Sequence, residues 1–342
     1  MSRLLAGLGV DLPVIAAPMA GGPSTPALVT AAARAGGLGF LAGGYKTAQA
    51  LAGQIHTTRA EGVAFGVNLF VPNPVPVSEE AYRRYARAVQ AEADRYGLKL
   101  PEEPIEDDDH WADKIDVLTS APVPWVSFTF GIPDRAVVSA FRRAGSTVLQ
   151  SVTSADEACR AAESGVDALI VQAPTAGGHS ATLTPARVPA PIPLTDLIAG
   201  VRRAVALPVI ATGGITTAAD VAAALAAGAE AVMVGTVLLC THESGASAPH
   251  KAALADPAFT TTTVTRAFTG RPARALRNYF IDHYDPIAPE GYPALHHLTS
   301  PLRKAATAAG DTRLIHLWAG TGYRQAKAES AADTLTRLAA QL

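Results

Sequence analysis

Apolar residues gather in eight short runs along the chain, at 14–19, 38–42, 64–70, 125–130, 147–152, 168–172, 208–211 and 231–234. None shows the polar alternation of a half-exposed strand, so each predicts a strand buried on both faces. Ala-rich amphipathic stretches follow most of them, at 26–35, 48–60, 79–96, 134–144, 155–163, 194–204 and 218–227, and predict helices. Strands alternating with helices give a parallel sheet. Eight units within the first 240 residues match the (β/α)8 TIM barrel, an α/β fold of about 250 residues. A doubly wound open sheet is the competing arrangement of the same elements.

Two stretches exceed a minimal barrel. Residues 73–120 form a helical excursion over the rim that carries the acidic run 102–109, read as a solvated charge run. Residues 241–303 mix short helical pieces with Pro- and Gly-containing turns, and predict a smaller, mostly helical cap after the eighth strand. The barrel then comprises 1–240 and 304–342, with a last helix over 330–342 packed outside.

Composition narrows the functional classes. Of 342 residues, 49% are hydrophobic and 17% charged, which excludes global disorder. A net charge of −2 offers no basic field to a phosphate backbone, so nucleic acid is not an expected partner. Cys159 and Cys240 stand far apart without CxxC or His/Cys ligand spacing, and are expected to be reduced core thiols of a cytoplasmic protein. Arg3 and the apolar stretch 4–10 outline a signal peptide, but Asp11 and Pro13 interrupt it too early. The apolar stretch 231–240 is too short to span a bilayer, so no membrane association is expected.

In a parallel barrel the chemistry sits at the C-terminal strand ends. The first run ends in Met19, the third carries Asn68, and the sixth ends in Gln172 before Gly177, Gly178 and His179. The seventh leads into Gly213 and Gly214, the eighth into Gly235 and Thr236. Paired glycines after the seventh strand, with Thr217 and Asp220 spaced to cap the next helix, suit a phosphate held by backbone N–H groups; tight turns alone are the simpler explanation. His179 follows two glycines at the barrel mouth, where an imidazole can exchange a proton or stabilise negative charge. Asn68 and Gln172 can each donate and accept, to a heterocycle edge or to loop backbone. His242, His250, His296 and His297 lack metal-ligand spacing, and no metal site is expected. The segment 37–42 fits GxGxxG/A, but it forms a strand instead of joining a strand to a helix, so it is no dinucleotide fingerprint.

The motifs in order are APMAGGPSTP at 17–26, GVNLF at 66–70, SFTFG at 127–131, AGGH at 176–179, ATGGI at 211–215, MVGT at 233–236, TRAFTGRPAR at 265–274 and LWAG at 317–320. Together, over nearly the full length, they resemble the nitronate monooxygenases, FMN-dependent TIM-barrel enzymes formerly called 2-nitropropane dioxygenases. The resemblance implies that FMN is held by Met19, Asn68, Gln172, Gly177, Gly178, Gly213, Gly214, Met233, Val234, Gly235 and Thr236, with His179 facing the substrate. It further implies oxidation of a nitronate (propionate 3-nitronate or an alkyl nitronate) by O2 to a carbonyl compound and nitrite, a nitroalkane detoxification. A nitronate is already an anion, so His179 is expected to stabilise and orient it, and to act as base only for neutral nitroalkanes.

This chain departs from the pattern at Val237 and Leu238, where many relatives carry Arg-Phe, at Ala181, where Gly is common, and at Thr321, where Gln is common. The competing enzyme on the same scaffold is an NAD(P)H-dependent flavin reductase acting on a quinone or an enoyl thioester. A flavin-free barrel for phosphorylated metabolites and a ligand sensor are the other readings. Monomer and homodimer both stay open.

Overall fold

The computed structural model describes residues 10–342, so the signal-peptide-like stretch lies, apart from Val10, outside the described residues. Eight parallel strands close into a barrel: β1 (Val14–Ala16), β2 (Leu38–Ala42), β3 (Phe65–Phe70), β4 (Trp125–Thr129), β5 (Thr147–Val152), β6 (Ala168–Gln172), β8 (Val209–Thr212) and β9 (Ala231–Val234), with β1 paired to β9. The two-residue β7 (Gly178–His179) joins β10 (Thr262–Thr265) and β11 (Ala273–Leu276) in a separate antiparallel sheet. The barrel is therefore closed, and the open-sheet alternative falls. All eight expected strands are present. The first stops at Ala16 instead of continuing to Met19, because Pro18 has no N–H for a ladder and the Met19 N–H turns to Ser24 Oγ at 2.8 Å. The fourth stops at Thr129, where Phe130 turns to φ +80°.

The helices start where side chains can cap them. Thr25, Thr47, Ser78, Ser154 and Thr217 each accept from the third helical N–H, and Thr217 with Asp220 completes the capping box. The barrel's inner layers follow the period of two. Ile15, Leu38, Phe40, Trp125, Leu149, Ala168, Ile170, Ile210, Ala231 and Met233 fill the interior, while residues of the opposite parity such as Val14, Leu41, Val126, Val148, Leu169 and Val232 meet the helices. Carried two residues further up their strands, the inward positions become Asn68, Thr129, Ser151, Gln172, Thr212 and Gly235. The interior is thus oily below and polar or small at the top.

A second core lies beside the barrel. Helix Glu79–Asp94 packs on helix Ala294–Ala309, and Tyr82, Tyr85, Phe268, Phe280, Leu295 and Leu298 share one apolar cluster. The rim excursion and the late segment therefore fold together. The limit drawn at residue 303 falls inside helix Ala294–Ala309, which runs on through Pro301, and the β10–β11 ribbon adds strand to a segment expected to be mostly helical. The two cysteines are free, but not core thiols: Cys159 is exposed and Cys240 half-buried. Helix Ala155–Glu163 buries Glu157, Ala158 and Ala161, which leaves Cys159 on its outer face.

The second core also buries imidazoles. His250 is 8% exposed, with Nε2 3.1 Å from the Trp318 carbonyl, and burial pushes its pKa down to about 4. Burial, reinforced by the Arg303 charge, drives His316 well below its usual range.

Two tests follow from this packing. A Cβ on Gly39 would lie 2.7 Å from Val29 Cα and 2.9 Å from Val29 O, so Gly39→Ala must push helix Pro26–Arg34 off the sheet at a cost of about 1–3 kcal/mol. Exposed Gly53 has open space around it, and Gly53→Ala should stabilise its helix by about 0.5–1 kcal/mol. Urea unfolding checks both, and an unchanged Gly39→Ala midpoint would refute the close strand–helix contact. The histidines set a pH dependence. The unfolded chain takes up protons as pH falls through about 6.5, whereas folded His250 does so only near 4. The unfolded state binds more protons within this window, so stability falls with pH. Replacing His250 by Gln should flatten that slope between pH 6 and 5 by up to about 1.4 kcal/mol per unit. An unaltered slope in urea melts would contradict it.

Candidate active site

A cavity of about 960 Å³ opens at the C-terminal ends of the barrel strands. Met19, Asn68, Gln172, Gly177, Gly178, His179, Gly213, Gly214, Met233, Val234, Gly235 and Thr236 all line it. The structure thus brings every residue singled out from the sequence to one place, though they contribute in different ways. Val234 packs its side chain toward the helices, and its carbonyl accepts from the Ala17 N–H at 2.8 Å. Gln172 spends both ends of its amide on the loop that follows: Nε2 donates to His179 O (3.2 Å) and Oε1 accepts from the Ala181 N–H (2.8 Å). Its role is to shape that loop. Asn68 is 4% exposed and donates through Nδ2 to Ser127 Oγ (2.9 Å) and Thr129 Oγ1 (3.0 Å).

The loops after β8 and β9 carry open donors. Gly213 and Gly214 adopt φ +105° and +79°, a region that L side chains rarely enter. Among the described residues, the N–H groups of Gly213, Gly214, Ile215 and Gly235 donate to no protein acceptor. The next N–H groups do: those of Thr216 and Thr217 both go to Asp220 Oδ2 at 2.9 Å. Of the turn and helix-start donors expected from the sequence, those of the glycine turn therefore stay open, while Asp220 takes up those of Thr216 and Thr217. An oxyanion held by a cluster of backbone N–H groups needs this arrangement. Thr236 Oγ1 accepts from the Gly320 N–H at 3.0 Å. A Cβ on Gly177 would lie 2.5 Å from Gly320 N, so the AGGH and LWAG segments touch backbone to backbone. Val237 and Leu238 are buried in the core between barrel and helices and bring no charge to the turn.

His179 sits among aromatic rings, with centroids 5.3 Å from Trp318, 5.6 Å from Phe130 and 6.0 Å from Tyr292. Nε2 lies 2.9 Å from Thr269 Oγ1. Enclosure by protein, then the charges of Arg271 and Arg303, push its pKa down to about 3. The ring is neutral at any pH near 7. Arg271 is fully buried; its guanidinium lies 4.0 Å over the Phe130 ring and donates to Thr182 O. Its Nε and Nη1 find no acceptor.

The far wall of the cavity comes from the loop after β2, the rim excursion and the segment 241–303. Tyr45 stacks on His296 at 4.0 Å, and its N–H donates to Asp109 Oδ1 at 2.9 Å. Asp109 in turn pairs with fully buried Lys114 at 2.7 Å. The acidic run is therefore not wholly a solvated face: most of it is exposed, but its last member anchors the wall. Arg303, 5% exposed, also lines the cavity. Thr129 and Ser151 could have been found by counting inward positions up their strands. Thr269 lies within the TRAFTGRPAR motif, but Tyr45, Tyr292, His296 and Arg303 carry no comparable individual signal, because loop and helix packing alone brings them here. No cluster of three or more His, Cys, Asp or Glu side chains set to hold a metal occurs among the described residues, and no helix among them is long and apolar enough to cross a membrane.

A family model for nitronate monooxygenase matches residues 2–341. Probable nitronate monooxygenases of Staphylococcus aureus strains Newman and MRSA252 are each 33% identical over 346 aligned positions, spanning all of this chain and 97% of theirs. The structure of nitroalkane oxidase from Streptomyces ansochromogenes superposes with a TM-score of 0.95 at 47% identity, covering 99% of this chain and 97% of that one. FabK from Thermotoga maritima is more distant, with a TM-score of 0.77 at 25% identity over 99% of this chain and 94% of its own. The chain belongs to the nitronate monooxygenase family of flavin-dependent oxidoreductases.

Proposed function

We propose that this enzyme binds FMN in the barrel mouth and uses O2 to oxidise a nitronate to a carbonyl compound and nitrite. The observation that carries the reading is the set of unengaged N–H groups at Gly213, Gly214, Ile215 and Gly235, beside a neutral histidine in the same cavity. Those donors suit the phosphoryl end of the flavin mononucleotide. Side chains at Gly214 and Gly177 would collide with Thr175 Oγ1 at 2.8 Å and Gly320 N at 2.5 Å, so the smallness of this wall is built in. Met19, Asn68, Gln172, Gly177, Gly178 and the stretch 233–236 would line the rest of the cofactor, Gln172 by holding its loop and Val234 through its backbone. When bound, FMN supplies the electron-accepting chemistry.

The protein's part is to bind, orient and move a proton. With Nε2 of His179 engaged by Thr269, Nδ1 is the ring nitrogen left for substrate. A proton on Nε2, accepted by Thr269 Oγ1, makes Nδ1 a base toward the α-carbon of a neutral nitroalkane. The nitronate so formed is an anion, and its negative charge beside the ring raises the histidine's pKa, which favours the transfer. A preformed nitronate needs no base; there the other tautomer, with Nε2 accepting from Thr269 Oγ1 and Nδ1–H donating, lets His179 orient the anion through a hydrogen bond. Residues 241–303 cover the substrate end in this reading, while 1–240 and 304–342 hold the cofactor. Relatives' names support the chemistry: the Streptomyces protein is a nitroalkane oxidase and the staphylococcal ones are probable nitronate monooxygenases.

Purified protein should be yellow, release FMN on denaturation, and couple oxygen uptake to nitrite release on ethyl nitronate and propionate 3-nitronate without NADH. Anaerobic flavin bleaching by NADH but not by a nitronate would transfer the assignment to the flavin reductases. Replacing His179 by Asn should leave FMN bound and lower kcat/KM on neutral nitroethane by about 100-fold or more, the usual scale of a lost general base. Turnover of preformed ethyl nitronate should fall much less. Equal losses on both substrates would remove the base from the mechanism.

A further inference from the structure

The reacting substrate, on the function proposed above, is an anion, yet His179 cannot meet it with a charge. We propose that Arg303 is the residue that receives the two-oxygen anionic head of the substrate. Several positive groups line or adjoin the cavity, and among the described residues that line it Arg303 alone is both buried and left with an unpaired nitrogen. Lys46 Nζ donates to Ala42 O (2.8 Å) and Gln54 Oε1 (2.6 Å). Lys114 is held by Asp109, and Lys304 is exposed at the rim. Arg271 also keeps unpaired Nε and Nη1 donors, but it does not line the cavity and its guanidinium lies against the Phe130 ring.

Arg303 is different. Its Nε donates to Thr299 Oγ1 at 3.0 Å and its Nη2 to His296 O at 2.9 Å, which fixes the plane of the guanidinium. Nη1 has no protein acceptor among the described residues, and no carboxylate lies within ion-pair distance of the group. The two carboxylates that line the cavity are both occupied, Asp107 by His297 at 2.8 Å and Asp109 by Lys114 at 2.7 Å. A charge held out of water with no counter-ion is costly and calls for a partner. A planar fork fixed along one edge suits a planar pair of oxygens, which a nitronate head and the nitrite ion both present. Burial lowers the pKa of Arg303 only to about 10, so the charge persists throughout the neutral range.

Inorganic nitrite is the probe, because it binds without turnover. Calorimetric titration of the FMN-loaded enzyme should detect nitrite binding, and Arg303→Met should weaken it by about 10- to 100-fold, the scale of a charged hydrogen bond. KM for ethyl nitronate should rise by a similar factor, while KM for neutral nitroethane moves less than about threefold, a split that mere disturbance of packing would not produce. Arg303→Lys keeps the charge and should restore most of the nitrite affinity, and it guards against a Met variant that does not fold. Nitrite affinity within about twofold of wild type in a folded Arg303→Met enzyme, or no nitrite binding by the wild type, overturns the assignment of Arg303. A wild-type enzyme that binds nitrite through Arg303 but oxidises no nitronate would instead overturn the proposed function and leave the anion site standing.

Discussion

Closure of the sheet between β1 and β9 is the constraint on which the rest depends. Once the barrel is closed, every strand must present alternate residues inward, and a slip of one position would invert all of them. The inward set ends in a hydrogen-bonded arc across three neighbouring strands. Asn68 on β3 donates to Ser127 and Thr129 on β4, and Thr129 Oγ1 lies 3.2 Å from Ser151 Oγ on β5. These polar groups satisfy one another just above a floor of Ile170 and Met233. A cavity with apolar foundations and a fixed polar lip results from register alone.

Burial then sorts the charges in that cavity. Removing water from around an imidazole lowers its pKa from a starting point near 6.5, so the same enclosure that leaves His179 at about 3 makes it neutral. An arginine begins above 12, and an equally severe environment brings Arg271 and Arg303 only to about 10. His179 and His296 become uncharged while Arg303 remains a cation, in each case chiefly through burial. The separation is useful for chemistry that takes a proton from a neutral molecule and then holds an anion. Under the proposed function, the histidine is kept ready for the proton and the arginine for the charge.

The eight strands and the barrel were legible because parallel strands buried on both faces leave unbroken apolar runs, and the glycines after β8 and β9 because few other residues fit a tight strand-to-helix turn. Strand ends were less legible. The first run reads as apolar through Met19, but Pro18 ends the ladder sooner. The exposed position of Cys159 was missed because a thiol's usual burial says nothing about which helix face it occupies. Asp109 shows a harder limit. Within a run of acids nothing local marks the one that turns inward, since Lys114 and the Tyr45 N–H decide it. Tyr45, Tyr292 and Arg303 on the far wall were not individually legible for the same reason, being placed by contacts between segments far apart in sequence.

The late segments complete both ends of the cavity. The Gly320 N–H reaches Thr236 at the top of β9, the Thr321 N–H donates to Thr175 O at 3.1 Å, and Gly177 leaves no room for a side chain against Gly320. Trp318, two residues earlier, packs on His179 and bridges to Ala275 of β11. β11 in turn pairs through Ala273 with His179 itself. The position of the imidazole is therefore set by three segments at once: its own glycine loop, the β11 ribbon and the LWAG turn. A side chain held from so many sides loses little conformational freedom when substrate arrives. The small residues at 177 and 320 are what let those segments approach closely enough to hold it.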